Sequence, residues 1–196
     1  MIRVGLTGNM GSGKSLISRF FEILGVPVYH ADQQSRKFLD ELPVIQQIAG
    51  IFGNGVLDHA QKIDRKILAG IVFSDPSALR TLNDLLHPLV KQDFSRWASQ
   101  FSQQKYILHE AAIIFESGFR GEFDYIIHVS CPPEMAIERV VLRDGISRED
   151  VLRRMQFQMD EKEKAALSDF VIRNDGSELI IPQMLEIDQL LSEIGA

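Results

Sequence analysis

The run Gly8-Asn9-Met10-Gly11-Ser12-Gly13-Lys14-Ser15 fits G-x-x-x-x-G-K-[ST], a spacing suited to holding the phosphates of a nucleoside triphosphate. Gly8, Gly11 and Gly13 let the backbone turn tightly and aim its N–H groups at phosphate oxygens. A helix that starts at the end of the loop adds positive potential. Ser12 lies inside this cradle, and Lys14 has the reach for the β- and γ-phosphates. The Ser15 hydroxyl suits Mg²⁺, and the backbone N–H of Leu16 can meet the α-phosphate. The loop alone leaves the fate of the phosphate open between transfer to an acceptor, hydrolysis coupled to motion and a nucleotide-dependent switch.

Further candidates stand where apolar runs end, because a doubly wound sheet binds its ligand beyond the carboxyl ends of its strands. Asp32, just after Tyr29-His30-Ala31, is placed either to take or orient the proton of an acceptor hydroxyl or to cap a helix beginning at Gln33, and one residue can do both. Glu110, after Ile107-Leu108-His109, reads either as an outer-shell Mg²⁺ residue or as a carboxylate bonded to the loop backbone. Asn174 is placed to line an adenine, or serves as an ordinary turn residue before Asp175-Gly176. His30, His109 and His128 lack metal-ligand spacing and read as structural.

The elements that must position these residues follow from periodicity. Short β-branched runs at Ile2–Thr7, Val26–His30, Tyr106–His109, Tyr125–Val129 and Phe170–Ile172 alternate with helical stretches, starting with Leu16 to Leu24 after the loop. That alternation predicts a parallel sheet covered by helices, an α/β doubly wound fold. The second and third runs are about seventy-five residues apart, far more than a simple crossover needs, so a helical subdomain is inserted there. Its helices are predicted over 43–52, from Ile63 to Val72, and from the N-cap pair Asp75-Pro76 onward, with Pro88 expected to kink or interrupt the last. Later, a helix from Pro133 to about Asp144-Gly145 and another capped by Ser147 form a hairpin carrying Arg139, Arg143, Arg148, Arg153 and Arg154. A charge run of this kind is a solvated face unless something else gives it a purpose.

Composition narrows the function classes. At 196 residues, with 45% hydrophobic and 24% charged, the chain has room for one well-buried core with insertions. A net charge of −6 argues against an extended nucleic-acid surface. No apolar run approaches a membrane span and no signal-like leader is seen, so a cytoplasmic protein is expected. The single cysteine, Cys131, excludes an intrachain disulfide and reads as a small buried apolar residue. No obligate protein partner is indicated.

Taken together, several segments resemble the dephospho-CoA kinase family across nearly the whole chain. They are GLTGNMGSGKS, HADQQSR, IDRKILAGIVFSD with LNDLLHPLV, IIFESG, ERVVLRDGISREDVLRRMQFQM and DFVIRNDGS. The resemblance implies a P-loop enzyme that uses ATP with Mg²⁺ to phosphorylate the ribose 3′-hydroxyl of dephospho-CoA. It implies three parts: a nucleotide-binding core over 1–31, 104–132 and 165–196, a helical acceptor subdomain over 32–103, and an arginine-bearing lid over 133–164. It gives Asp32 the catalytic-base position, makes Arg65 and His87 contacts to the acceptor, sets Arg139 and Arg143 near the transferring phosphoryl group, and brings Asn174 to the adenine. For His87 a purely structural role at the helix kink stands beside the contact. Two departures are visible: His30 occupies the place of an acid usual in the family, and Glu110-Ala111-Ala112 replaces an aspartate-containing, proline-leucine version. A different small-molecule or nucleotide kinase, and a non-catalytic nucleotide-dependent binding module, are the alternatives.

Overall fold

A computed structural model describes residues 1–195. The apolar runs form β1 (Ile2–Thr7), β2 (Val28–His30), β3 (Tyr106–Glu110), β4 (Tyr125–Ser130) and β5 (Phe170–Arg173). They pair in parallel in the order β2-β3-β1-β4-β5, which sets all their carboxyl ends on one edge of the sheet. β3 is buried along its whole length, as a strand covered on both faces must be. β2 starts two residues later than its apolar run because Pro27 has no N–H to give to a ladder, although its carbonyl still accepts from the Leu108 amide at 2.9 Å.

Around the sheet lie α1 (Lys14–Ile23), α6 (Pro133–Asp144), α7 (Arg148–Met155), α8 (Glu161–Ala166) and α9 (Ile180–Ile194), while α2 (Ala31–Phe38), α3 (Leu42–Phe52), α4 (Arg65–Val72) and α5 (Pro76–Ala98) follow β2. The chain divides into two compact units, one made of Met1–His30 and the chain from Arg96 onward, the other of Ala31–Ser95. In the first, α1 lays Ile17 and Phe21, four residues apart on one helix face, against Leu6, Leu108, Ile127 and Ile172 of the sheet. The second has a core of its own, with Ile48 and Val56 fully buried among Leu68, Val72, Leu82 and Leu86. Residues 96–103, within the interval assigned from sequence to the inserted helices, thus belong to the sheet unit, where Trp97 meets Tyr29 of β2 at 5.4 Å.

Local signals explain the helix ends. The Asp64 carboxylate accepts from the Lys66 and Ile67 amides at 2.9 and 3.0 Å, so α4 starts at Arg65, and Ile63 is left to bridge Leu57. The Ser147 hydroxyl accepts from the Asp150 amide at 3.1 Å and caps α7, while Gly145, in the left-handed region at φ 65°, closes α6. Of the two outcomes expected at Pro88, a kink or an interruption, the interruption does not occur: α5 runs through it. The ring removes a single backbone donor, and Leu82, Leu86, Val90 and Phe94 are buried on both sides of it, so packing holds the helix together. At the outer edge of the sheet, the Gln183 side-chain amide accepts from the Arg173 N–H at 2.8 Å and donates to the Arg173 carbonyl at 3.2 Å. Among the described residues no helix is long and apolar enough to cross a membrane.

His109 sits inside β3 at 2% exposure, stacked on Tyr29 at 5.2 Å and tilted against Phe123 at 5.0 Å. Burial lowers its pKa from 6.5 to about 3. The folded chain therefore holds a neutral imidazole while the unfolded chain takes up a proton below about 6.5, so stability must fall as pH drops from there toward 3. For this group alone the slope approaches about 1.4 kcal/mol per pH unit. Urea unfolding at pH 7, 6 and 5 should show the loss, and His109→Phe should flatten it. Identical slopes in the two proteins would contradict a neutral buried His109.

Candidate active site

The phosphate loop leaves the end of β1 and runs directly into α1, whose first residue is Lys14. Gly13 has φ 96°, and a Cβ on it would come within 2.2 Å of the Asn174 amide nitrogen. Only glycine fits both demands. A Cβ on Gly11, at φ 82°, would lie 2.2 Å from the Ala136 carbonyl at the start of α6. The Ser12 amide donates to the Asn9 carbonyl at 3.0 Å, and its hydroxyl oxygen is buried with no partner in the protein. Lys14 is buried to 9% exposure, whereas Ser15 and Leu16 are exposed in the first helical turn. The Leu16 amide donates to the Gly13 carbonyl at 2.9 Å, so the structure uses the donor that the sequence reading offered to the α-phosphate.

Asn174, at the end of β5, donates its side-chain amide to the Ser12 carbonyl at 2.7 Å. The turn residue thus ties the fifth strand to the phosphate loop. Arg139 joins the same corner, donating to the Asn174 carbonyl at 3.2 Å and lying 3.3 Å from the Cys131 sulfur. Burial pushes the Cys131 thiol pKa up, against the lowering influence of Arg139, so the sulfur stays protonated. One turn further along α6, Arg143 grips Asp144 with two bonds of 2.7 and 2.8 Å, and this pairing raises its pKa. Arg148 pairs with Glu134 and Arg153 with Asp150. Exposed pairs of this kind contribute little to stability, so breaking them costs little.

His30 lies between two carboxylates, with Nδ1 3.1 Å from Glu110 and Nε2 3.0 Å from Glu22, and its protonated ring donates to both. Burial alone would lower its pKa, but hydrogen bonds and charge from Glu22 and Glu110 outweigh it and leave the pKa raised. Such a group stabilises the fold fully below about 6.5 and ceases to as pH rises through the raised value. Glu110, 5% exposed, is therefore held by an imidazole, not by loop backbone. The histidine that stands in the place of an acid is thus itself bound to two acids.

Asp32, Arg65 and His87 belong to the helical unit. Asp32 is the second residue of α2 and lies within its first turn, so it is not an N-cap residue. Arg65 opens α4 and reaches back to α2, donating to the Arg36 carbonyl at 3.2 Å and to Asp40 at 2.8 Å. His87 is partly buried in α5, which lowers its pKa against the opposing charge of Asp84.

Sequence reasoning missed a further group beside the loop. Lys164 of α8 is completely buried and bonds Asn9, Ala112 and Glu116, and Glu161 accepts from His128 at 2.8 Å. Five successive charges from Asp160 to Lys164 look like a solvated face, and only the IIFESG segment, which contains Glu116, hinted at a partner.

Mg²⁺ fits the donor set. Ser15 presents an exposed hydroxyl next to Lys14, and a Mg²⁺ bound mainly by phosphate oxygens and water needs only one or two protein oxygens. Among the described residues no group of three or more His, Cys, Asp or Glu side chains is arranged to hold a metal without the nucleotide.

Known proteins are similar over nearly the whole chain. A family described as dephospho-CoA kinase matches residues 2–179, which include the whole helical unit. A dephospho-CoA kinase of Bacteroides fragilis is 39% identical over 187 residues, covering 95% of this chain and 91% of the relative. A crystal structure of a Thermus thermophilus protein superposes with a TM-score of 0.83 at 30% identity, covering 98% of this chain and 97% of that one. A solved dephospho-CoA kinase from Campylobacter jejuni gives a TM-score of 0.70 at 27% identity, covering 99% and 98%. With loop, sheet order and relatives in agreement over both units, the chain belongs to the dephospho-CoA kinase family.

Proposed function

We propose that the chain transfers the γ-phosphoryl group of ATP to the ribose 3′-hydroxyl of dephospho-CoA, giving CoA and ADP. The observation that carries this reading is the family match over residues 2–179, because it spans the helical unit as well as the phosphate loop, and a loop alone does not select an acceptor. The fold of the sheet unit supplies what phosphoryl transfer needs, which is positioning and charge rather than covalent chemistry.

In this reading the triphosphate lies along the loop, with Lys14 at the β- and γ-phosphates and the Ser12 hydroxyl, now without a partner, turned to a phosphate oxygen. Asn174 lines the adenine, and Arg139, which bonds the Asn174 carbonyl, stands with Arg143 on the helix that faces the transferring group. Asp32 accepts the proton of the 3′-hydroxyl as its oxygen bonds to the γ-phosphorus, and the bond to the β,γ-bridging oxygen breaks with its electron pair leaving on ADP. Arg65 and His87 hold the acceptor in the helical unit. Arg143 exchanges Asp144 for the charge that builds on the transferring group, and the hairpin excludes water that would otherwise be phosphorylated. Ser15 would hold Mg²⁺ in part, and the ion would supply neutralisation of phosphate charge. The single, buried Cys131 is compatible with a reducing cytoplasm, where we place the reaction.

Acceptor screening tests the assignment. ADP release coupled to a detection enzyme should be rapid and saturable with dephospho-CoA and absent with nucleoside monophosphates and sugars. Saturable turnover with one of the latter and none with dephospho-CoA would move the chain to another small-molecule kinase activity. ATP binding with no transfer to any of them would leave only a nucleotide-dependent binding module.

A further inference from the structure

Of the five successive charges carried by α8 and its cap Asp160, two turn inward. The Lys164 ammonium, 0% exposed, donates to Asn9 Oδ1 at 2.9 Å, to the Ala112 carbonyl at 3.0 Å and to Glu116 Oε1 at 2.8 Å, which occupies all three of its protons. The same Glu116 oxygen accepts from the Met159 amide at 2.8 Å, and the Asn9 amide donates to the Met159 carbonyl at 3.2 Å. Asn9, Lys164, Glu116 and Met159 therefore close a ring. Beside it the Met10 amide donates to the Gln158 side chain at 2.9 Å, and the Met10 side chain packs on Ile137, Val140 and Val151 of the arginine hairpin. One helical turn earlier, Glu161 pins the other end of α8 to His128 and to the Cys131 amide at the end of β4.

A buried ammonium is an expensive way to join backbone segments, and an apolar contact of the same size would serve a purely structural joint at least as well. Burial lowers the Lys164 pKa, Glu116 opposes that fall, and the nearby charge of Lys14 deepens it. Two cations thus share the neighbourhood of the loop, one facing the nucleotide site and the other facing the groups that shape it. What Lys164 joins is specific: the crown of the phosphate loop, through Asn9, and the segment leaving the arginine hairpin, through Glu116 and Met159.

We propose that Lys164 is a positioning residue for phosphoryl transfer, fixing the crown of the phosphate loop and the carboxyl-terminal root of the arginine hairpin on one ammonium, so that bound phosphates and hairpin arginines keep register. The proposal rests on the kinase reading for its transfer assay but on the loop alone for its binding assay. Lys164 touches no substrate and acts through Asn9 and Glu116.

The test compares wild type, Lys164→Gln, Asn9→Ala and the double variant, with ATP and Mg²⁺ as the ligand and dephospho-CoA as acceptor. Lys164→Gln should raise the KM for ATP by about tenfold or more, leave that for dephospho-CoA within about twofold, and release more ADP than CoA as water competes for the phosphoryl group. Asn9→Ala should shift the same quantities, and the double variant should fall short of the product of the singles because both act in one ring. A merely structural lysine would lower the melting temperature and the active fraction while leaving both KM values and the ADP-to-CoA ratio unchanged, and that result overturns the proposal. Should Lys164→Gln fail to fold, Asn9→Ala decides alone, with unchanged KM for ATP and unchanged ratio counting against it. The rise in melting temperature produced by ATP needs no acceptor. Its loss in the variants supports the role of Lys164 even where wild type makes no CoA, a separate result that would sink the kinase assignment.

Discussion

Lys14→Met is expected to lower turnover by about 10²–10³ or more while leaving the melting temperature near that of wild type. The methionine refills the buried stem of a side chain that is 9% exposed, so the fold keeps its packing, and the change removes only the charge. It also relieves the repulsion that depresses the Lys164 pKa, which works against any loss of stability. Steady-state kinetics with saturating dephospho-CoA, alongside thermal unfolding followed by circular dichroism, separates the two effects. Turnover within about threefold of wild type would mean that Lys14 does not meet the transferring phosphates, and the loop would be only a nucleotide anchor.

The second large effect is expected at Asp32. Asp32→Asn keeps the shape of the side chain and removes its basicity, so kcat should fall by about 10²–10⁴ while the KM for ATP stays within about twofold. Asp32 lies in the first turn of α2, where a carboxylate is also favoured by the helix dipole, so a modest drop in stability should accompany the kinetic loss. Asp32→Glu, which keeps a first-turn carboxylate but moves it by one methylene, distinguishes the two contributions: it should restore stability without fully restoring rate. Normal transfer in Asp32→Asn would take the base out of the mechanism.

The phosphate loop was legible in the sequence because its chemistry is written in backbone geometry. Gly11 and Gly13 are demanded by positive φ and by atoms 2.2 Å from an added Cβ, and those demands fall within eight consecutive residues. The parallel sheet was legible for a related reason, since its buried strands read as short runs dominated by apolar residues. The ring around Lys164 was hidden because the lysine meets Asn9 across 155 positions, and nothing local distinguishes an inward charge from a solvated one on a short helix. Asn174 stood between these cases. Its place at a strand end could be read, but its bond to the Ser12 carbonyl could not. The bridge from His30 to Glu110 and Glu22 shows a further limit: the departure from the family pattern was visible, yet its compensation lay on a neighbouring strand and on α1. The helix runs through Pro88 without the interruption that a proline can cause, because the packing of its neighbours outweighs one missing hydrogen bond.

The side-chain amide of Gln183 imitates a neighbouring strand at Arg173, offering one acceptor and one donor where a backbone would offer the same. β5 has four residues and turns only alternate ones outward, so closing Arg173 removes one of the two footholds that an incoming strand would need. The sheet is terminated from within, and a chain made at high concentration is spared a route by which two copies would otherwise stitch their open edges into an aggregate.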